Sequence, residues 1–416
     1  MESSATSDQP VTYRDVFRNG NWMRLWTGQT ISQLGDFVSD IAFPLLVYDV
    51  TRSATGLGFG FAIEMLPLIV IGPLAGVFAD RWNRRTLLLT VDAVRVLCAL
   101  GLFLSKSIWQ LYLLALVAAI MQAIFTSTYA AVIPQITERQ YVKSISLSYT
   151  GYRTMQVIGP MVAAGIIGLV HGPRPAFVFD AATFAAGFLM TLTIHVDKVK
   201  HSGPTHHFLD DLRRGAHFLA QSAVVRYLTS YNTIIAIAGA VATLGTVIYI
   251  KAALGLPAAT SDQFYGLVGA VLAGGLALTT WLIGLLHDQL PKRRMLLGGP
   301  MLAGAAYLLF LFHPGPGAIF PIFLIVSVGS ACSLVPVPVF LATAVPNELR
   351  GRTYSFINAL DALASLVTYS VLAAVGLLLP SSVLLAIAGC LLVIGIPLCT
   401  FILKGNRALR EHELHH

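Results

Sequence analysis

The feature that most constrains the fold is a short charged turn that occurs twice between long apolar segments. The first copy is the segment from Gly76 to Arg85, GVFADRWNRR, which holds one acid and three arginines. A second copy begins at Gly284, 208 residues later, and at the same offset it matches Asp80, Arg84 and Arg85 with Asp288, Lys292 and Arg293. A charged turn that repeats in this way indicates two related halves, each built from apolar helices joined by short loops.

The composition is that of a multi-pass membrane protein. Of the 416 residues, 56% are hydrophobic and only 11% are charged, whereas soluble proteins carry about a quarter charged residues. Twelve apolar segments are each long enough for a bilayer-crossing helix of roughly 20 residues. The sequence therefore predicts an all-α membrane protein with twelve transmembrane helices, arranged as two pseudo-symmetric six-helix bundles.

Polar stretches divide the chain into five predicted parts. These are an N-terminal segment over 1–21, a six-helix bundle over 22–195, a linker over 196–225, a second bundle over 226–404 and a tail over 405–416.

Positive charge predicts the orientation, because short loops rich in Lys and Arg stay in the cytoplasm. With a cytoplasmic N-terminus, 21 of the 27 Lys and Arg residues lie inside, and only Arg52, Lys106, Arg174 and Lys251 lie outside. Both termini and the linker are therefore predicted to be cytoplasmic. Membrane orientation also explains the net charge of +7, so no nucleic-acid partner is predicted.

Three acids inside predicted helices are candidates for a proton or substrate site, since an ionisable group there costs roughly 2.5–3.5 kcal/mol. Asp36 and Asp40 lie four residues apart on the first helix and share one face. Two neighbouring carboxylates repel, so at least one is expected to hold a proton near neutral pH. Alternatively, one of them pairs with a polar neighbour and never moves a proton. Glu64 has no basic partner on its own helix and is a further proton or cation candidate.

Other intramembrane charges favour structural ion pairs. Asp92 and Arg95 are three residues apart on the third helix and can pair with each other. Arg153 lies at a similar depth and could join them, while Asp361 could pair with Arg153 or Arg95 across helices. Asp180 also lies within a predicted helix, the sixth, and receives no role from its spacing.

The first charged turn resembles the signature of the major facilitator superfamily of secondary transporters, Gly-x-x-x-Asp-Arg/Lys-x-Gly-Arg/Lys-Arg/Lys. The matching residues are Gly76, Asp80, Arg81, Arg84 and Arg85. Asn83 stands where Gly is usual, and Asn also tolerates a left-handed turn. The stretches 35–36, 66–67, 92–95, 159–160 and 345–352 resemble the bacterial drug-efflux branch that includes macrolide and siderophore exporters.

This resemblance implies that the two charged turns form a gate. In the family, the turn locks the cytoplasmic side, and Asp80 would then lie by the N-terminus of the eleventh helix, where free N–H groups attract an anion. The gate residues would be Gly76, Asp80, Arg81, Arg84, Arg85, Asp288, Lys292 and Arg293. A purely topogenic basic turn would explain the arginines but not Asp80.

The resemblance also implies a function: proton-coupled efflux of a hydrophobic or amphipathic small molecule by a monomer in the bacterial plasma membrane. Gly159-Pro160 in the fifth helix resembles an antiporter signature, although Ala163 and Ala164 replace its last glycines. The alternatives are a lysolipid flippase or a siderophore exporter on the same fold, and a non-transporting membrane sensor. The expected partners are the substrate, protons and the lipid bilayer. With no nucleophile–base motif, nucleotide fingerprint or metal spacing, the sequence predicts no enzyme activity, no cofactor and no metal site.

Overall fold

The computed structural model describes residues 12–71, 82–196, 217, 219–286, 290–405 and 408–409. Within these ranges the chain is helical and contains no strand. We call the membrane-crossing helices spans 1 to 12. The predicted all-α architecture of twelve such helices in two halves is confirmed.

The first half contains spans 1 to 6, with the bounds Gly20–Thr51, Ala54–Val70, Arg84–Leu104, Ile108–Thr137, Tyr141–Val170 and Arg174–Leu192. Spans 7 to 12 are Ala223–Ala253, Ala258–Leu285, Lys292–Phe312, Pro316–Ala344, Asn347–Val375 and Ser381–Ile402. Spans 3 to 12 are long and apolar enough to cross a membrane. Within the described residues span 2 extends over only 17 residues, and the 32 residues of span 1 include Asp36, Asp40 and Asp49.

Side chains cap the first turns of several helices, which fixes where those helices begin. A short helix, Tyr13–Arg18, precedes span 1, and the backbone N–H and the hydroxyl of Thr12 donate to Asp15 at 2.8 and 2.7 Å. These two hydrogen bonds lower the pKa of Asp15. Asn83 accepts the N–H of Thr86 at 3.1 Å and caps span 3 with φ −65° and ψ 115°. Asn83 therefore serves as an N-cap in extended backbone and does not adopt the left-handed conformation that Asn tolerates.

Two prolines lie in similar segments of the two halves, AVIP at 131–134 and AVP at 344–346, but the structures around them differ. Pro134 lies inside span 4, which continues to Thr137 before a 3-10 turn leads into span 5. Span 10 ends at Ala344, Val345 follows in extended backbone, and Pro346 then occupies the N-cap of span 11. The sequence similarity of these two segments thus corresponds to a helix end in the second half only.

The halves pack closely through two pairs of spans, 2 with 11 and 5 with 8. Gly58 lies directly against span 11, so that a Cβ added to it would come within 2.8 Å of the backbone nitrogen of Ala373. A Cβ on Gly266 of span 8 would come within 2.9 Å of the Cα of Ala164 in span 5. Small residues allow such close approach between membrane helices. Both contacts lie toward the end of the molecule that holds residues 52–53 and 254–257, which we call the clasped end.

A cluster of buried charges joins the halves at the clasped end. The ammonium of Lys251 in span 7 lies 2.7 Å from the Asp49 carboxylate of span 1 and also pairs with Asp262 of span 8. The Lys251 side chain is only 1% exposed, and a π-helical turn over Tyr249–Ala253 carries it. Arg52 Nη1 lies 3.8 Å from the same Asp49 oxygen. We call Asp49, Lys251 and Asp262 the clasp, because its central ammonium contacts acids from both halves.

Candidate functional site

The candidate site is a cavity of about 580 Å³ enclosed by spans 1 to 6, which we call the N-half cavity. Its walls are mainly apolar and aromatic, with Phe37 and Phe43 from span 1 and Tyr152 from span 5. The ionisable side chains among its lining residues, apart from tyrosines, are Asp36, Asp40, Glu64, Arg95 and Asp180. A cavity that combines an apolar wall with a few polar groups suits an amphipathic ligand.

The cavity brings together the three acids that the sequence singles out. Asp36 and Asp40 lie on one face of span 1, and Glu64 extends from span 2 within electrostatic range of Asp40. Asp40 is exposed and Glu64 is half-buried. Neither has a hydrogen-bond or ion-pair partner in the part of the chain that the structure describes. Their use in proton or substrate binding stays a prediction, since geometry alone does not test it.

Arg95 pairs with Asp36, and this differs from the predicted pairing with Asp92. The guanidinium reaches from span 3 to span 1, where Nη2 donates to Asp36, and it stacks on the Phe184 ring at 3.8 Å. Asp92 is 2% exposed, and its Oδ1 has no hydrogen-bond partner among the described residues. The cross-helix pair gives Arg95 both a carboxylate and an aromatic face, which helical spacing does not reveal.

The other two residues of the predicted ion-pair group also have different partners. Arg153 donates to the Tyr149 hydroxyl at 2.6 Å and to Gln156 at 2.8 Å, both on its own helix. Asp361, in the second half, accepts a hydrogen bond from Thr233 at 3.0 Å. Neither residue has an ion-pair partner within the described ranges. Similar depth in the membrane does not identify ion-pair partners here, because Arg153 and Asp361 lie in different halves and each has a neutral hydrogen-bond partner nearby.

Asp180 is the residue of the cavity to which sequence reasoning gave no role. It lies in span 6, is 5% exposed, and accepts a hydrogen bond from Ser39 of span 1 at 2.6 Å. Its Oδ1 has no hydrogen-bond partner among the described residues. Ser39 follows Asp36 by three residues and therefore shares its helical face, which is the one signal that connects these residues in the sequence.

Four of the predicted gate residues, Gly76, Asp80, Arg81 and Asp288, lie outside the described residues. Of the others, Arg84 donates to the Ala131 carbonyl at 2.8 Å and Arg85 to the Leu192 carbonyl at 2.6 Å. Leu192 is the last residue of span 6, so Arg85 places positive charge at a helix C-terminus, where it is favourable. Lys292 and Arg293 begin span 9. A gating role for these residues stays a prediction.

Two related bundles of membrane-crossing helices, with a cavity that combines apolar walls and a few ionisable groups, are the architecture of a secondary transporter. Comparison with protein families gives the same answer. The sequence model of the family described as Major Facilitator Superfamily matches residues 25–369, and the chain belongs to that family.

The similar proteins include members of the drug-efflux branch. The chain is 23% identical to the uncharacterized MFS-type transporter YfiS of Bacillus subtilis, over 96% of this chain and 97% of that one. It is 22% identical to the multidrug resistance protein MdtG of Citrobacter koseri, over 81% and 84% of the two chains. It is also 22% identical to macrolide efflux protein A of Streptococcus pyogenes, over 48% and 51%. These matches confirm the resemblance stated from the sequence.

Solved structures support the fold. A bacterial homologue of the human lysosomal transporter Spinster matches with a TM-score of 0.69 and 14% identity, and the match covers 97% of this chain and 99% of that one. At that identity the likeness concerns the fold alone.

Proposed function

We propose that this protein exports a hydrophobic or amphipathic small molecule from bacterial cells in exchange for protons, by alternating access. The observation that carries the proposal is the pair of acids, Asp40 and Glu64, that face the N-half cavity without an ion-pair or hydrogen-bond partner among the described residues. Carboxylates in such a position either bind a proton or bind a positively charged ligand. The names of the related MdtG and macrolide efflux proteins support a drug-like substrate.

In this proposal the acids of the cavity bind substrate and protons alternately. The charge distribution favours a cytoplasmic location for both termini, so the clasped end faces outward and the N-half cavity takes substrate from the cytoplasm. Substrate enters when Asp40 and Glu64 have released their protons. Protons that arrive from the outside then neutralise both acids, and the substrate leaves. Aromatic side chains such as Phe37 provide the apolar contacts.

The remaining parts of the proposal concern partners and place. One chain contains both halves and a complete cavity, which supports a monomer as the working unit. We place it in the plasma membrane, with no nucleic-acid partner and no enzymatic reaction.

The function is tested by transport in proteoliposomes with an imposed pH gradient. Macrolides, siderophores and lysolipids are first screened for thermal stabilisation of the purified protein, and the compound that stabilises it most is used. Asp40→Asn and Glu64→Gln should each lower gradient-driven accumulation by at least about tenfold. Exchange of substrate without a gradient should fall less than accumulation, because it needs no net proton movement and each single variant keeps one acid and the apolar wall for binding.

The matched control is Asp361→Asn, which neutralises a membrane acid in the other half and should keep gradient-driven transport. If the wild-type protein ignores the pH gradient, proton coupling is wrong. Stabilisation by lysolipids or siderophores alone would favour the corresponding alternative function.

The orientation has a separate test. A cysteine introduced at Ser202, which lies outside the described residues, should resist an impermeant thiol reagent added to intact cells, because the linker is expected in the cytoplasm. Labelling should appear once the cells are permeabilised. Rapid labelling of intact cells would reverse the proposed orientation.

A further inference from the structure

Arg95 is one buried cation surrounded by more acids than it can neutralise. Asp36 and Asp40 face it from span 1, Asp180 from span 6, and Asp92 lies on its own helix. Arg95 is 3% exposed, Asp92 2% and Asp180 5%. One guanidinium offsets one carboxylate, and a second buried charge without a cation would cost several kcal/mol. Because Asp36 holds the ion pair, the carboxyl of Asp180 is best accounted for as protonated.

The Asp180 carboxyl lies directly beside the backbone of span 1. A Cβ added to Gly35 would overlap with Asp180 Oδ1 and with the Thr183 side chain, so spans 1 and 6 can approach only because residue 35 is glycine. Asp36 is the next residue along the chain. The carboxyl groups of Asp36 and Asp180 therefore both lie at the contact between spans 1 and 6. Asp36 is the more exposed of the two, with 25% of its side chain accessible to solvent.

A donor and an acceptor beside Asp36 are each without a partner. Arg95 Nη1 and Asp180 Oδ1 are both buried and have no hydrogen-bond partner within the described residues. Buried polar groups are normally hydrogen-bonded, so an unpaired donor within electrostatic range of an unpaired acceptor indicates an arrangement that a second state completes. Asp92 Oδ1 is also unpaired, but Asp92 does not line the cavity and moves with Arg95 on the same helix.

We propose that Asp180 is the alternate partner of Arg95 and a positioning residue of the coupling site. A proton passes between Asp180 and Asp36: the O–H bond at Asp180 breaks, an O–H bond at Asp36 forms, and the negative charge moves to Asp180. Arg95 follows that charge and leaves Asp36, which then exchanges its proton with the cavity. No other reactant is needed. The inference rests on the proposed proton coupling, which it makes more specific.

The transport test compares Asp180→Asn with Asp92→Asn. An amide at residue 180 cannot take the negative charge, so Arg95 stays on Asp36. Gradient-driven accumulation should fall by at least about tenfold while exchange persists. Asp92→Asn should stay within about twofold of the wild-type protein, and Asp180→Glu should recover part of the accumulation. Unchanged accumulation in Asp180→Asn, or an equal loss in both asparagine variants, would overturn the proposal.

A second measurement separates positioning from a structural role. Ser39 donates a hydrogen bond to Asp180, and this bond favours the charged carboxylate. In Ser39→Ala the carboxyl should hold its proton to higher pH, which moves the pH profile of transport toward alkaline values. An unshifted profile would overturn the inference.

Infrared spectroscopy of the purified protein tests the stored proton without any transport. Other protonated acids of the cavity also contribute to the C=O band, so the test is the difference spectrum between the wild-type protein and Asp180→Asn, which should show the loss of one protonated-carboxyl component. If Asp180→Asn loses no such component, the inference fails whatever the transport result. If the component is lost but the wild-type protein ignores the pH gradient, the proposed function fails and the stored proton stands.

Discussion

Asp36→Asn should lower both the thermal stability of the protein and its gradient-driven transport. The substitution leaves the Arg95 guanidinium, whose side chain is 4% exposed, without its carboxylate. Removing one partner of a buried ion pair typically costs about 3–5 kcal/mol, and the cost here should lie at the lower end of that range, because Asp180 can give up its proton and pair with Arg95 instead. Transport driven by a pH gradient should be lost, since residue 36 can no longer release a proton.

The pairing is tested by comparison with Arg95→Met and with the double variant. Arg95→Met should be the milder single change, because an unpaired Asp36 can take up a proton while an unpaired guanidinium cannot lose one. Asp36→Asn combined with Arg95→Met should recover most of the thermal stability, since no buried charge is then left alone. Thermal unfolding in detergent measures all three. A double variant as unstable as Asp36→Asn would show that the pair does not carry the effect.

The sequence predicts the spans and the acids of the cavity because these depend on local patterns. Hydropathy and length define the membrane-crossing helices, and the four-residue spacing of Asp36 and Asp40 places both on the cavity face of span 1. Local pattern does not connect Asp180 with the cavity, since its partner Ser39 is 141 residues away.

Ion-pair partners were predicted poorly, for a physical reason. Helical spacing allows Asp92 and Arg95 to meet, but a long side chain such as Arg95 can reach three helices and takes the partner that offers the best total contact. That partner is Asp36, reinforced by the ring of Phe184. Which helices are neighbours is a tertiary property, and depth in the membrane does not supply it.

The two prolines in the similar segments show that a local sequence pattern also does not determine where a membrane helix ends. Membrane helices tolerate proline when nearby groups satisfy the freed carbonyl, so Pro134 stays within span 4 while Pro346 caps the start of span 11.

Charge counting places Lys251 among the outside loop charges, but the residue lies buried in the clasp at the end of span 7. Charge counting locates such a residue on one side of the membrane and says nothing about its burial.

The clasp makes a prediction about conformational equilibrium. Asp49 is its one member from the first half, whereas Lys251 and Asp262 both belong to the second. Asp49→Asn should therefore remove the ionic contact between the halves and leave the Lys251–Asp262 pair intact. The clasped end should then open more often, with the equilibrium shifted by about tenfold or more, which corresponds to about 1.4 kcal/mol.

The measurement is the distance between spin labels at Phe59 in span 2 and Leu378 after span 11, both exposed at the clasped end. Asp49→Asn should add a longer-distance population. Asp262→Asn is the matched control: it neutralises an acid of the same clasp within one half, so the contact between halves survives and the distances should stay close to those of the wild-type protein. Arg52→Gln should also have little effect, because Arg52 is 62% exposed and its ion pair is screened by water.

Equal opening in Asp49→Asn and Asp262→Asn would mean that the clasp acts through the packing of span 7. No opening in either would mean that contacts such as Gly58 against Ala373 hold the clasped end without help from charge.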